Sequence, residues 1–143
     1  MFLAEGSRVI PVSPEIAFDK LADFSSWKDW MPRSFRPSRG RARITTLREG
    51  DRVRVRIAGA PVASSIEIAT VDRPREISWR GGPRGVLHAH HRFLFEPHAE
   101  GTLVRSVESW EGPLAAIFRF LIRPGAERIG GQQLAALAHA VSP

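Results

Sequence analysis

The chain has 143 residues, 43% of them hydrophobic and 25% charged, which is room for one domain, 1–143, with an ordinary core and no sign of wholesale disorder. It contains no cysteine, which excludes a disulfide framework, thiolate catalysis and cysteine-ligated metal. The formal charge of +6 comes almost entirely from arginine and raises nucleic acid or an anionic membrane as partners.

Met1-Phe2-Leu3-Ala4 meets Glu5 before any apolar run, and the most apolar stretch, Leu114 to Ile122, is short and interrupted by Arg119. Neither an export signal nor a membrane span is expected, and the reading is a cytoplasmic protein. Arg8 to Val12 reads as a short strand. Ser13-Pro14-Glu15 then starts a helix over about Pro14 to Ala22: Ser13 caps, Pro14 suits the first position and Glu15 meets the positive end of the dipole. Trp27 and Trp30, three apart, share one helical face that Pro32 closes. Arg33 to Arg43 is rich in Arg, Pro, Ser and Gly and reads as a loop.

From there to Trp110 strands dominate, over about Arg43–Leu47, Arg52–Ala58, Val62–Val71 and Glu76–Arg80, then a long hairpin with arms Gly85–Pro97 and Thr102–Trp110. Arg52, Arg54 and Arg56 alternate with Val53, Val55 and Ile57, the period of a half-buried strand with one wet face. That makes nucleic acid the lesser expectation and leaves transient contact with an anionic membrane open. Glu111-Gly112-Pro113 starts the last helix, whose Leu114, Ile117, Phe118, Leu121 and Ile122 form an apolar stripe. Pro124-Gly125 is expected to break or kink it, Gly130-Gly131 to weaken it, and Gln133 to Val141 to resume it through Leu134, Leu137 and Val141. The order is that of an α+β domain with an antiparallel meander covered by its terminal helix.

Val9-Ile10-Pro11-Val12-Ser13-Pro14-Glu15, Leu21-Ala22-Asp23-Phe24 and Trp27-Lys28-Asp29-Trp30-Met31-Pro32 resemble the opening of polyketide cyclase/dehydrase-like members of the START, or Bet v 1-like (SRPBCC), superfamily. His91-Arg92-Phe93-Leu94-Phe95-Glu96-Pro97, Gly101-Thr102 and Glu108-Ser109-Trp110-Glu111-Gly112 resemble that family's final hairpin and its entry to the last helix. The resemblance implies a helix-grip fold: a seven-stranded curved antiparallel sheet around a long C-terminal helix, with two short helices after the first strand. It also implies a cavity between sheet and helix that holds a lipid, polyketide or quinone-like molecule, with catalysis in few members.

The last hairpin can be read from geometry alone. A four-residue loop, His98 to Gly101, sets Pro97 opposite Thr102, Phe95 opposite Val104, Phe93 opposite Ser106 and His91 opposite Glu108. Leu87, Ala89, His91, Phe93 and Phe95 then share the helix-facing side with Val104, Ser106, Glu108 and Trp110. His91 and Glu108 form an imidazolium–carboxylate couple that either faces a ligand, moves protons, or only fixes the register.

His88 and His90 fall on the opposite face, where no third ligand completes a metal site; they are expected to be solvent-exposed, with neither metal nor cofactor required. Trp27, Trp30, Met31 and Phe35 line a cavity entrance or pin the short helix to the sheet. Val55, Ile57 and Trp79, together with Phe93, Phe95, Ser106, Trp110, Phe118 and Leu121, complete the expected ligand wall, Trp79 with Ile77 being core or wall. Arg105 should point outward, and arginines of the 33–43 loop are better placed to meet a ligand anion.

The function expected is binding or transport of a hydrophobic or amphipathic small molecule by a monomer or homodimer. The alternative is a polyketide aromatase or cyclase using His91 and Glu108.

Overall fold

A computed structural model describes residues 1–38 and 43–142. Strand β1 (Phe2–Ile10) is followed by helix α1 (Pro14–Ala22), a single 3-10 turn (Phe24–Ser26) and the short helix α2 (Trp27–Trp30). Strands β2 (Phe35–Pro37), β3 (Arg52–Ile57), β4 (Ser64–Asp72), β5 (Glu76–Gly81), β6 (His88–His98) and β7 (Gly101–Glu111) follow, and helices α3 (Pro113–Ile117) and α4 (Arg119–Val141) close the chain. Among the described residues the strands form one curved antiparallel sheet in the order β1-β7-β6-β5-β4-β3-β2. A register shift between Ile68 and Thr70 adds local twist where β4 meets β5. This is the α+β helix-grip arrangement.

Local chemistry explains most element boundaries. Ser13 Oγ accepts the Ile16 amide at 3.3 Å and Pro14 occupies the first turn of α1, as the capping residues require. Strand β1 starts at Phe2 rather than at Arg8: Phe2, Ala4 and Ile10 turn inward and pair along β7 over the full length.

The expected 33–43 loop instead contains edge strand β2, paired Phe35 to Ile57; its part at 39–42 lies outside the described residues. Arg43 to Leu47 is not a strand: it is tied to the end of α1 and the turn after it by the Asp23–Thr46 bridge and by the Leu47 amide on the Ala22 carbonyl at 2.8 Å, with the Leu47 side chain buried in the core. Strands are short here because Pro37 has no amide to extend a ladder.

The C-terminal region departs most from expectation. Gly112, at φ 103°, turns the chain into α3, which ends at Phe118 with φ −101° and ψ 17°. The break therefore falls at Phe118, and α4 runs through Pro124 uninterrupted. The stripe read as core-facing is not seated: Leu114, Ile117, Phe118 and Leu121 are exposed, Ile122 is half-buried and Phe120 beside them is 72% exposed, while Ala115 is the buried residue of α3. Gly130, Gln133, Leu134, Leu137 and Ala138, from the second half of α4, are buried instead. Helix α4 is thus docked by its C-terminal half.

The core lies between the concave sheet face, α1 and that docked half. Phe18 meets Phe95 edge-on at 5.5 Å, and Trp27, Phe35, Trp79 and Phe93 form a chain of ring contacts 5.2–6.0 Å apart. Among the described residues no helix is long and apolar enough to cross a membrane.

Candidate functional site

The β6–β7 hairpin has the register read from its sequence, with Phe95 opposite Val104, Phe93 opposite Ser106 and His91 opposite Glu108. Pairing continues one step further, to His98 and Gly101, so the turn is tighter than the expected four-residue loop. Residues two apart share a face, which puts His91, Phe93, Phe95, Val104 and Ser106 together in the interior.

A polar chain crosses this otherwise apolar face. Ser106 Oγ lies 2.6 Å from His91 Nε2, and His91 Nδ1 lies 3.2 Å from Glu108 Oε2. The Trp110 indole N–H donates to Glu108 Oε1 at 2.9 Å. Trp79 stands edge-on to the imidazole at 5.4 Å and Phe93 lies 4.3 Å from it. The side chain of His91 is 5% exposed and that of Glu108 17%, so solvent reaches the chain at its Glu108 end.

Burial sets the protonation. It holds the His91 pKa down at about 3, with His90 adding to the effect, and pushes Glu108 up to about 7 against the stabilising Trp110 hydrogen bond. The expected imidazolium–carboxylate couple is therefore corrected: the imidazole is neutral, because an apolar surround penalises its charge and the hairpin supplies no compensating second anion. Near pH 7 a single proton on the Glu108 carboxyl comes and goes. With it present the carboxyl O–H donates to Nδ1, and without it Nδ1–H donates to the carboxylate while Ser106 O–H donates to Nε2. The chain can relay a proton between the wet end and Ser106.

Above this chain the helix is built from small residues. A Cβ placed on Gly130 would sit 3.0 Å from Ser106 Oγ, so α4 crosses β7 there. From Ser106 onward β7 runs toward α3, and α4 must run back alongside it, over the stretch that carries Glu108 and Trp110. Ala126, half-buried and one turn before Gly130, is the small residue of the helix that faces that stretch. Beneath it the Glu108 side chain keeps 17% of its surface exposed.

The other expected site residues divide into two groups. Trp27, Met31, Phe35, Val55, Trp79, Phe93, Phe95 and Ser106 are buried, and Trp30, Ile57 and Trp110 are half-buried. Trp27 pins its segment to the core, donating its indole N–H to the Leu21 carbonyl at 2.8 Å.

Phe118 and Leu121 are corrected, since they point to solvent rather than into the sheet; periodicity fixes which residues share a face but not which way that face turns. His88 and His90 are also corrected: His88 is buried with Nδ1–H donating to the Gly82 carbonyl, and His90 is half-buried beside Ser78 Oγ at 3.2 Å. Arg105 points outward to Glu96 as expected.

Sequence reasoning missed Gln133, which is 2% exposed on the sheet side of α4. A polar residue inside the Gly130–Leu134–Leu137 stripe was the available signal.

Two clefts along α4 share no lining residue with this polar chain. One of about 640 Å³ is lined by Pro32, Arg33, Ser34, Ala58, Arg128, Gln132 and Ala135. Arg33 of the 33–43 segment lines this cleft, apart from the polar chain.

A family model described as polyketide cyclase / dehydrase and lipid transport matches residues 1–142. The chain belongs to this family. No curated protein matches it. Solved structures share its fold: protein CV1439 from Chromobacterium violaceum is 16% identical with a TM-score of 0.69, covering 99% of this chain and 98% of its own. Protein jhp0584 from Helicobacter pylori is 16% identical with a TM-score of 0.76, covering 99% and 88%, and MLL2253 from Mesorhizobium loti is 16% identical with a TM-score of 0.72, covering 96% and 95%. At these identities the family member shares an architecture with them and nothing finer.

Proposed function

We propose that this family member binds and carries a hydrophobic or amphipathic small molecule, lipid, polyketide or quinone-like in character, on the concave sheet face beneath the first half of α4. One observation carries the reading: the Ser106–His91–Glu108–Trp110 chain sits in an aromatic wall and ends, at Glu108, in a partly exposed carboxyl beneath the small residue Ala126. A wall of this kind supplies apolar contact area, and a few placed polar groups fix orientation.

Ala126→Leu tests it by filling the helix face over Glu108. The variant should fold about as well as the parent, both residues being strong helix formers, and should lose hydrophobic dye binding and any ligand carried through purification in native mass spectrometry. Unchanged binding would remove the proposal.

A second reading, proton transfer on a bound polyketide-like substrate in aromatase or cyclase fashion, is favoured by the continuity of the Ser106–His91–Glu108 chain. Under it, His91→Ala and Glu108→Gln abolish turnover of such a substrate while leaving its affinity within a few-fold. Product formation at the parent rate counts against it.

The exposed stripe Ile117, Phe118, Phe120 and Leu121, with Arg119 and Arg123 beside it, supports transient docking of the carrier on an anionic membrane.

A further inference from the structure

Gln133 is 98% buried by its 2% exposure, and among the described residues neither its amide nitrogen nor its amide oxygen has a hydrogen-bond partner. Leaving both atoms of a buried amide unpaired is expensive, and native structures rarely tolerate it without a water, an ion or a ligand. The position of the amide follows from helix geometry. Gln133 is one turn beyond Gly130, which lies on Ser106, and helical side chains lean back toward the N-terminus. Its amide is thereby directed toward the Ser106–His91 end of the polar chain, the closed end, the Glu108 end being the partly exposed one.

The surrounding groups define what could meet it. The neighbours on the concave face are neutral or aromatic: Ser106, His91, Trp79 and Phe93. Among the described residues no arginine or lysine bonds to the Ser106–His91–Glu108 chain, and an unpaired carboxylate buried there would be strongly penalised.

We infer that Gln133 is a specificity-determining residue of this site, and that the ligand inserts a neutral group able both to donate and to accept, such as a phenol, enol or alcohol. A hydroxyl would donate its proton to the amide oxygen and accept from the amide N–H, pairing both orphan atoms at once. An acid of the same shape would not. This rests on the binding reading above and adds the chemistry of the ligand head.

The test uses naphthalene probes of equal bulk: 2-naphthol, 2-methoxynaphthalene, 2-ethylnaphthalene and 2-naphthoate. Each is titrated calorimetrically at pH 7 into the parent protein and into Gln133→Leu, which keeps the volume and removes both polar atoms. The parent should bind 2-naphthol about tenfold or more tighter than 2-ethylnaphthalene, with 2-methoxynaphthalene between them and 2-naphthoate weakest. Gln133→Leu should bind 2-ethylnaphthalene as well as the parent does, lose the preference for 2-naphthol, and melt at a higher temperature.

A preference that survives in Gln133→Leu overturns the assignment, as does 2-naphthoate binding on a par with 2-naphthol. Parent binding that does not discriminate among the probes means that Gln133 holds only water, and overturns it while sparing the carrier reading. Failure of the parent to bind any of the four defeats both.

Discussion

Gly130 of α4 and Ser106 of β7 approach so closely that a methyl group on the glycine would lie 3.0 Å from the serine oxygen. Ser106 cannot easily yield, because its hydroxyl is held 2.6 Å from His91 Nε2 and the residue is buried. The expected outcome of Gly130→Ala is a net loss of about 1 kcal/mol, overpacking of roughly 1–3 kcal/mol outweighing the gain in helix propensity of about 1 kcal/mol. Removing the oxygen reverses the sign: in a Ser106→Ala background the same Gly130→Ala change should stabilise. Denaturant unfolding of the four proteins gives the coupling, and simple additivity would show that helix and strand do not meet at this point.

The buried couple predicts an unusual pH profile. His91 falls from 6.5 unfolded to about 3 folded, so its contribution is lost as pH drops below 6.5. Glu108 rises from 4.5 to about 7, so its contribution is complete below 4.5 and lost as pH climbs through 7. Between 4.5 and 6.5 the unfolded chain has gained the histidine proton while the folded one holds the glutamic proton, and the two slopes cancel. Stability from the pair is therefore level from about pH 4.5 to 6.5 and declines on either side. Glu108→Gln removes one half: stability should then rise up to pH 6.5 and stay flat above it, gaining up to about 3 kcal/mol over the parent at pH 8.5. Thermal melts across pH 4 to 9 check this. A Glu108→Gln profile parallel to the parent's would mean the carboxyl ionises freely.

Much of this was legible in the residues, and the misses share physical causes. The hairpin register followed from strict alternation between Ala89 and Phe95 and between Thr102 and Trp110, since a slip by one residue would expose every apolar side chain. Strand β2 was not legible, because three residues ending in Pro37 carry too short a pattern to register. Periodicity read Leu114, Ile117, Phe118 and Leu121 as one core-facing stripe but could not say that Phe118 would break the helix and leave all four exposed. Gln133 looked like an ordinary polar position until its burial was seen.

Pro124 gives a separate check on the helix. It cannot donate to the Phe120 carbonyl, yet α4 continues through it, because this part of the helix is exposed and water can satisfy the freed carbonyl. Pro124→Ala should therefore stabilise, by about 1–3 kcal/mol, and should raise hydrogen-exchange protection of amides 119–126. No change in that protection would indicate that this half of α4 is already rigid for another reason.

The outward stripe leads to the last expectation. Ile117, Phe118, Phe120 and Leu121 expose between 44% and 72% of their surface within five consecutive positions, more apolar area than an isolated surface residue explains. Arg119 lies 5.6 Å over the Phe2 ring and Arg123 pairs with Glu127 at 3.0 Å, so the cations flank the patch without crossing it. Apolar insertion should therefore dominate, with about 1 kcal/mol from each nearby arginine at an anionic surface. The protein should sediment with phosphatidylglycerol vesicles more than with phosphatidylcholine vesicles, and added salt should weaken the binding only modestly. The pair Phe120→Ser and Leu121→Ser together should reduce it about tenfold to a hundredfold, since each full side-chain burial is worth roughly 1.5–3 kcal/mol and the interface buries them in part. Light scattering on the free protein separates this from the alternative: a concentration-dependent dimer abolished by the same two substitutions, with no sedimentation on either vesicle, would give the stripe to a second copy of the chain.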